Sequence, residues 1–343
     1  MASITAQEIE LGRRDRAARW MLVVSILALL AIVLAILILV IGNNSYSLAT
    51  IFRVLVGEEI AGASFAIRTL RLPRMLAAVL AGFAFGMSGS VFQTLLRNPL
   101  ASPNIIGITS GSSAAAVFFI LVLRTSGTAA SAASVAAGLI VTALIYILSQ
   151  GGGFSGGKLI LIGIGIQAML NALISYMLQQ AASNDAPSAM RWLSGSLNAV
   201  KLTDIVPLGL TMILAVPLIL LLSRSLSIME LGEQSALTLG VRTNLTRILI
   251  VIAAVCLLAF ATVATGPIAF VSFLAGPIAK RLSGSSLPHT LPAGFIGAIL
   301  VLAGDLIGQN AFAIRLPVGV ITGIIGAPYL IYLLIRTYKI GEA

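Results

Sequence analysis

Two glycine-rich patterns are the features of this sequence that most invite a chemical reading. Residues 152–158 fit G-x-x-x-x-G-K, but Leu159 stands where a nucleotide-binding loop needs Ser or Thr for magnesium. Residues 163–168 fit G-x-G-x-x-A, yet they lie inside the charge-free run 159–184 with no strand–helix–strand unit around them. We therefore expect a loop between helices at the first pattern and close helix packing through small residues at the second.

Side chains suited to acid–base or metal chemistry are scarce. His289 is the only histidine, Cys256 is the only cysteine, and the spacings H-E-x-x-H and C-x-x-C do not occur. Asp305 is the only acid expected at membrane depth, where an acid is a functional candidate. The alternative is a structural acid satisfied by neighbouring backbone or Ser/Thr groups. The sequence thus predicts that the chain is not an enzyme, and that any ATP is hydrolysed by a separate subunit.

The composition defines the setting of these residues. Of the 343 residues, 59% are hydrophobic and 9% are charged, against roughly 25% charged in soluble domains. The mean hydropathy is +1.08. A soluble enzyme or a disordered protein is excluded, and the long apolar runs disfavour a membrane β-barrel. A helical integral membrane protein is expected.

Ten membrane-spanning helices are predicted. A span needs about 20 residues. The charge-free runs of about that length are 20–42, 75–96, 98–123, 125–157, 159–184, 205–223, 248–279, 282–304 and 316–335. Gly266-Pro267 and Gly276-Pro277 divide one of these runs into a full span and a short eighth span. Arginine and lysine near both termini place both in the cytoplasm, which requires an even number of crossings.

The predicted fold is therefore all-α, a polytopic membrane protein with an inside N-terminus and an inside C-terminus. Residues 1–19 form a cytoplasmic arm, residues 20–337 form a single ten-helix domain, and residues 338–343 form a cytoplasmic tail. Surface helices are expected outside the membrane at 47–56 and within 185–201.

The formal net charge of +10 would suggest nucleic acid in a soluble protein. Here the basic residues lie between apolar runs and are not interleaved with aromatics, which favours membrane topology and lipid headgroups. An outer basic cluster is the exception. Helical spacing places Arg68, Arg71 and Arg74 along one face, and Arg315 begins the tenth span on the same side. These guanidinium groups suit carboxylates of a docking protein or an anionic ligand, or alternatively lipid headgroups.

The cytoplasmic segment 223–247 is a candidate docking element. Ser227 and Glu230 have the spacing of a capping box, and Gly240 is placed to end a short helix. A partly apolar helix pair here would dock on a cytoplasmic partner or simply lie at the membrane surface.

A set of motifs in fixed order resembles the FecCD family of ABC-importer permeases from about residue 20 onward. The motifs are R-L-P-R at 71–74, N-P-L-A at 98–101, G-I-T-S-G at 107–111, L-G-E at 231–233, G-P-I-A-F at 266–270, L-P-V-G at 316–319 and G-A-P at 326–328. Within the family, residues 158–165 and 281–284 are most similar to permeases for ferric catecholate siderophores. Gly276-Pro277 and Arg315 depart from the family pattern and affect the short eighth span and the outer docking surface.

The resemblance implies a permease of the bacterial plasma membrane that binds no cofactor itself. Its implied partners are a second permease subunit (identical or different), a cytoplasmic ATPase dimer that uses ATP and magnesium, and an extracytoplasmic siderophore-binding protein. The implied translocation residues, on the fifth and tenth spans, are Gln167, Asn171, Gly319, Thr322 and Gly323. The implied docking residues for the binding protein are Arg68, Arg71, Arg74 and Arg315. The implied ATPase-coupling residues are Met229, Glu230, Leu231, Gly232, Glu233, Ala236, Leu239 and Gly240.

Three alternatives stay open on the sequence. One is a secondary transporter driven by an ion gradient, with Asp305 as its coupling residue. Another is a membrane scaffold that transports nothing. The third is a haem or cobalamin permease of the same family, because the ligand itself is not encoded in the shared motifs.

Overall fold

The chain folds into a bundle of helices, described here from a computed structural model. The structure describes residues 6–42, 44–125, 127–149, 156–182, 185–198, 200–284 and 287–341. The helices among these residues are α1 (Ala6–Val40), α2 (Leu48–Val56), α3 (Leu72–Leu95), α4 (Ile108–Leu121), α5 (Thr128–Ser149), α6 (Gly156–Gln180), α7 (Ala186–Leu193), α8 (Leu202–Met229), α9 (Glu233–Thr238), α10 (Thr243–Thr265), α11 (Val271–Ser283), α12 (Thr290–Asn310) and α13 (Val318–Gly341). A π-helical segment, Phe65–Arg71, leads into α3, and a 3-10 turn, Pro103–Ile106, leads into α4.

The expected number of spans is confirmed. In the described part of the chain, seven helices are long and apolar enough to cross a membrane, and α4, α11 and α13 complete a set of ten. The two predicted surface helices appear as α2 and α7. We call the end of the bundle that holds α2, α7 and residues 311–317 the outer end. The end that holds α9 and residues 287–289 is the inner end.

Two predicted helix boundaries were wrong. The ninth span begins at Thr290 instead of residue 282, since Gly284, at φ +81°, ends α11. Helix α8 continues past residue 223 to Met229, because a charged residue such as Arg224 does not interrupt a helix whose end lies in water. Helix α1 begins at Ala6 and continues into the predicted first span, and the assignment of residues 1–19 to a cytoplasmic arm stays a prediction. Residues 151–155 of the glycine-rich loop lie outside the described residues.

The predicted capping box in the cytoplasmic segment was also wrong. Ser227 lies within α8, and its hydroxyl donates to the carbonyl of Ser223. The segment contains one short helix, α9, in place of the expected pair. Gly240 follows α9 at φ +80°, so the predicted glycine stop is confirmed.

Helix α3 runs through the centre of the bundle and packs on α1, α8, α10, α11 and α12. Its most extensive contact is with α12. A Cβ on Gly86 would lie 2.2 Å from the carbonyl oxygen of Ala293, and one on Gly82 would lie 2.6 Å from that of Gly297. The absence of side chains at Gly82 and Gly86 therefore brings the two backbones into contact. This packing fixes Arg74, in the first turn of α3, relative to the outer half of α12.

Helices α4 and α11 are too short to cross the bilayer alone. Their 14 and 13 residues extend about 20 Å, against a hydrocarbon thickness of about 30 Å. Irregular backbone at 98–107 and 266–270 makes up the difference, and Ala101 and Ile268 within it are buried. Such backbone is tolerated at membrane depth where it is buried in protein or lines a wet cavity.

Candidate transport pathway and docking surfaces

A polar hollow of about 300 Å³ lies beside the middle of α6. It is lined by Asn104, Thr109, Ser110, Ser113, Gln167, Asn171, Ile174, Ser175, Leu193 and Pro267. Helix α6 runs from Gly156 to Gln180, so Gln167 and Asn171 lie near its midpoint. The structure thus brings the two predicted α6 residues together in one cavity. Among the described residues, the lining contains hydroxyl and amide groups and no charged side chain.

The predicted residues of α13 lie elsewhere. The lining of the hollow does not include Gly319, Thr322 or Gly323. The side chain of Thr322 is buried, its hydroxyl donating to the carbonyl of Gly319. A Cβ on Gly319 would lie 2.0 Å from the carbonyl oxygen of Ser194, whereas one on Gly323 would meet no atom within 4 Å. Gly319 therefore joins α13 to the chain after α7, and the pathway role of α13 stays a prediction.

The outer end contains a buried ion pair that the sequence did not reveal. Arg74 donates from Nε and Nη2 to the two carboxylate oxygens of Asp305, at 2.8 and 2.6 Å. The Asp305 side chain is 1% exposed, and that of Arg74 is 13% exposed. Gln309 also donates to Asp305 at 2.6 Å, and Asn198 accepts from Arg74 at 2.6 Å. Asp305 is thus satisfied by side chains of α3 and α12, whereas backbone or Ser/Thr partners were the structural alternative considered from the sequence.

The other two arginines of the R-L-P-R region also have partners within the chain. Arg71 donates to the carbonyls of Leu39 and Val40 at 2.7 and 3.0 Å, and its guanidinium lies 4.8 Å from the ring centroid of Tyr46. Arg68 donates to the carbonyl of Val54. Arg68, Arg71 and Arg74 thus each contact a different segment of the chain.

An outer cavity of about 440 Å³ collects the charged groups of this end. Arg71, Arg74 and Arg315 line it together with Asn198 and Gln309. These three arginines give the cavity a positive lining at the outer end, although the guanidinium groups of Arg71 and Arg74 are hydrogen-bonded within the chain. The docking assignment of Arg68, Arg71, Arg74 and Arg315 stays a prediction.

Residues 230–240 of the predicted coupling segment form an exposed apolar surface at the inner end, which we call the knob. Ala236 is buried, but Leu231, Leu237 and Leu239 are 69%, 56% and 62% exposed. Gly232 precedes α9 at φ +123°, a conformation that favours glycine. The knob is therefore held by its glycine-bounded ends and presents leucine side chains outward.

Ion pairs connect this knob to the rest of the bundle. Glu233 lies 3.1 Å from Arg247, whose side chain is 8% exposed, and Glu230 lies 2.8 Å from Lys280 at the end of α11. Met229 is buried, and its carbonyl accepts a hydrogen bond from Arg97 at 2.8 Å. The knob is thus connected directly to α10, α11 and the chain after α3.

A cavity of about 260 Å³ lies next to these ion pairs at the inner end. Its lining includes Thr94, Glu230, Lys280 and His289. Nε2 of His289 lies 3.3 Å from the hydroxyl of Thr94. Burial, and then the positive charge of Lys280, lower the pKa of His289 below its usual range.

The bundle is that of an ABC-transporter permease, a transport subunit without enzymatic activity. The chain belongs to the FecCD transport family, whose sequence model matches residues 28–336. It is 35% identical over 296 residues to the ferric enterobactin transport system permease protein FepG of Escherichia coli (strain K12), covering 86% of this chain and 90% of that protein. It is 35% identical over 313 residues to the achromobactin transport system permease protein CbrC of Dickeya dadantii (strain 3937), covering 90% of each chain.

The fold also matches a solved structure, that of a metal-chelate type ABC transporter in an inward-facing conformation. The TM-score is 0.80 and the sequence identity 27%, over 92% of this chain and 99% of that one. The protein is accordingly a multi-pass permease of the bacterial plasma membrane, a class that works with an ATPase and a substrate-binding partner.

Proposed function

We propose that this chain is the permease subunit of an importer that moves an iron(III)–siderophore complex, of the catecholate type, into the cytoplasm. The observation that carries the proposal is the similarity to FepG, a ferric enterobactin permease, over most of both chains. The hollow beside α6 is compatible with it, because its neutral hydroxyl and amide groups can contact an anionic chelate without trapping it by charge.

The rest of the assembly is part of the same proposal. A second permease, identical or of the same family, completes the pathway alongside α6 and α13. An ATPase dimer docks on the knob and hydrolyses ATP with magnesium. A siderophore-binding protein docks at the outer end, where Arg71, Arg74 and Arg315 border the positive cavity and carboxylates are its expected counterparts.

Glu233 and Leu239 differ in how well each tests the ATPase contact. Reversing the charge of Glu233 would place a cation against buried Arg247, so a loss of ATPase binding would also follow from local disruption of the knob. Leu239 is 62% exposed and can be replaced without disturbing that ion pair.

The test of the proposal is uptake of radiolabelled iron from a panel of ferric siderophores by a deletion strain with and without this chain. We expect the deletion to remove uptake of catecholate complexes, with restoration by the intact gene and little effect of an ionophore. Loss of another siderophore class would correct the ligand. Unchanged uptake of every siderophore would favour haem or cobalamin as the ligand. Uptake abolished by the ionophore alone would favour a transporter driven by an ion gradient.

A further inference from the structure

The wall of the hollow opposite α6 comes from α4 and the 3-10 turn before it. Asn104, Thr109, Ser110 and Ser113 all lie on this side. Most of these groups are engaged locally. Thr109 donates to the side-chain oxygen of Asn104 at 2.8 Å, and Ser110 donates to the carbonyl of Gly107 at 3.0 Å. Ser113 is the exception on this wall.

Ser113 is 5% exposed, yet within the described residues its hydroxyl has no hydrogen-bond partner. The side-chain amides of Gln167 and Asn171, across the hollow, likewise make no hydrogen bond in the described part of the chain. A buried polar group without a partner is costly unless water or a ligand satisfies it. This cost applies to the buried Ser113, and the partly exposed Gln167 and the exposed Asn171 turn further polar groups to the same cavity beside the middle of α6.

The neighbouring residue shows that this is a local property of Ser113. Ser112 is fully buried and donates to the carbonyl of Ser134 on α5, at 2.9 Å. Ser112 thus joins α4 to α5, whereas Ser113 lines the hollow. Irregular backbone at Asn104 and Pro267 borders the same cavity, as expected where backbone lines a wet space within the membrane.

We propose that Ser113 is a specificity-determining residue of the pathway, and that Ser113, Gln167 and Asn171 together form a polar site that contacts the transported chelate. Its neutral hydroxyl and amide groups donate hydrogen bonds to the oxygen atoms on the surface of an iron chelate. This inference rests on the proposed import function, and it adds α4 to the elements that face the ligand.

The test uses the complete importer with Cys256→Ala, so that Ser113→Cys supplies the sole thiol in this chain. Ser112→Cys, one residue away, is the matched control. A water-soluble methanethiosulfonate reagent is applied to the importer in proteoliposomes, and the labelling rate and the uptake of ferric enterobactin are measured before and after. We expect Ser113→Cys to react at least tenfold faster than Ser112→Cys. Its uptake should fall at least tenfold on modification and return on reduction.

Equal reactivity of the two thiols would overturn the proposal, as would full labelling of Ser113→Cys with unchanged uptake. If the cysteine at position 113 prevents assembly, Gln167→Cys serves in the same assay across the same hollow. Failure of the proposed ligand is recognised separately, because unmodified Cys256→Ala importer would then take up no ferric enterobactin while the labelling contrast remained.

Discussion

Breaking the Arg74–Asp305 pair should destabilise the outer end of the bundle more than any other single change of charge. Asp305→Leu leaves the guanidinium of Arg74 largely buried without its counter-charge, and Arg74→Met leaves the carboxylate of Asp305 in the same condition. Both carboxylate oxygens of Asp305 accept hydrogen bonds from Arg74, at 2.8 and 2.6 Å, so either change removes two contacts at once.

The magnitude follows from distance and burial. Two unit charges about 4 Å apart interact by roughly 4 kcal/mol at an effective dielectric constant of about 20. Removing one partner of a buried pair costs about 3–5 kcal/mol. We take the lower figure, about 3 kcal/mol, because the Arg74 side chain is 13% exposed and lines the open outer cavity.

The assay is a double-mutant cycle on equilibrium unfolding of the purified permease in detergent. The double variant should lose no more than either single variant, because it leaves no unpaired charge, so the coupling free energy should be at least about 3 kcal/mol. The exposed pair Arg53–Glu58, also at the outer end, is the control and should show much weaker coupling. A coupling below about 0.5 kcal/mol for Arg74–Asp305 would refute the reasoning.

The same double variant separates a structural acid from an ion-coupling acid. If Asp305 only pairs with Arg74, Arg74→Met/Asp305→Leu should take up at least as much iron as Arg74→Met alone, because both lack the docking charge of Arg74 and only the single variant leaves a buried carboxylate unpaired. If Asp305 carried a coupling ion, the double variant would be as inactive in uptake as Asp305→Leu alone. The hydrogen-bond partners found for Asp305 favour the first outcome.

Three further predictions concern the contact of Gly319 with Ser194, the knob and the inner cavity. Gly319→Ala should reduce folded yield and thermal stability strongly, because its Cβ would lie 2.0 Å from a backbone carbonyl, whereas Gly323→Ala has open space and should be tolerated in the same melting assay. Leu239→Ser should lower co-purification with the ATPase severalfold, while Leu48→Ser, equally exposed at 62% but on the outer α2, should leave it unchanged; equal effects would refute docking at the knob. Folding lowers the pKa of His289, so its contribution to stability is present above the unfolded pKa, about 6.5, and is lost as the pH falls below that value. Unfolding midpoints measured between pH 7 and 5 should therefore fall more for the wild type than for His289→Asn.

The number of helices was predictable because the signals are local. A run of about 20 uncharged residues meets the length requirement of the bilayer wherever it occurs, and Gly266-Pro267 interrupts it whatever the surroundings. Boundaries such as the start of α12 were missed because an uncharged loop and an uncharged helix have similar compositions. The capping box at Ser227 failed because α8 was already helical there, and a helix interior overrides a local start signal.

The partners of the polar side chains could not be inferred in the same way. Arg74 and Asp305 are separated by 231 positions, and they meet only because small residues let α3 and α12 approach closely. A lone acid at membrane depth did indicate that some partner was needed, but several arginines of the outer end were equally eligible. Ser112 and Ser113 are likewise indistinguishable as residue types, and only the orientation of α4 separates a packing serine from one that faces the hollow.

Composition, span length and motif order were thus enough to establish a ten-helix FecCD permease, because each is a property of contiguous sequence. Which groups are paired, buried or open to the pathway depends on contacts between distant segments. Those contacts exist only once the helices have packed, so the roles of Arg74, Asp305 and Ser113 became visible in the folded bundle alone.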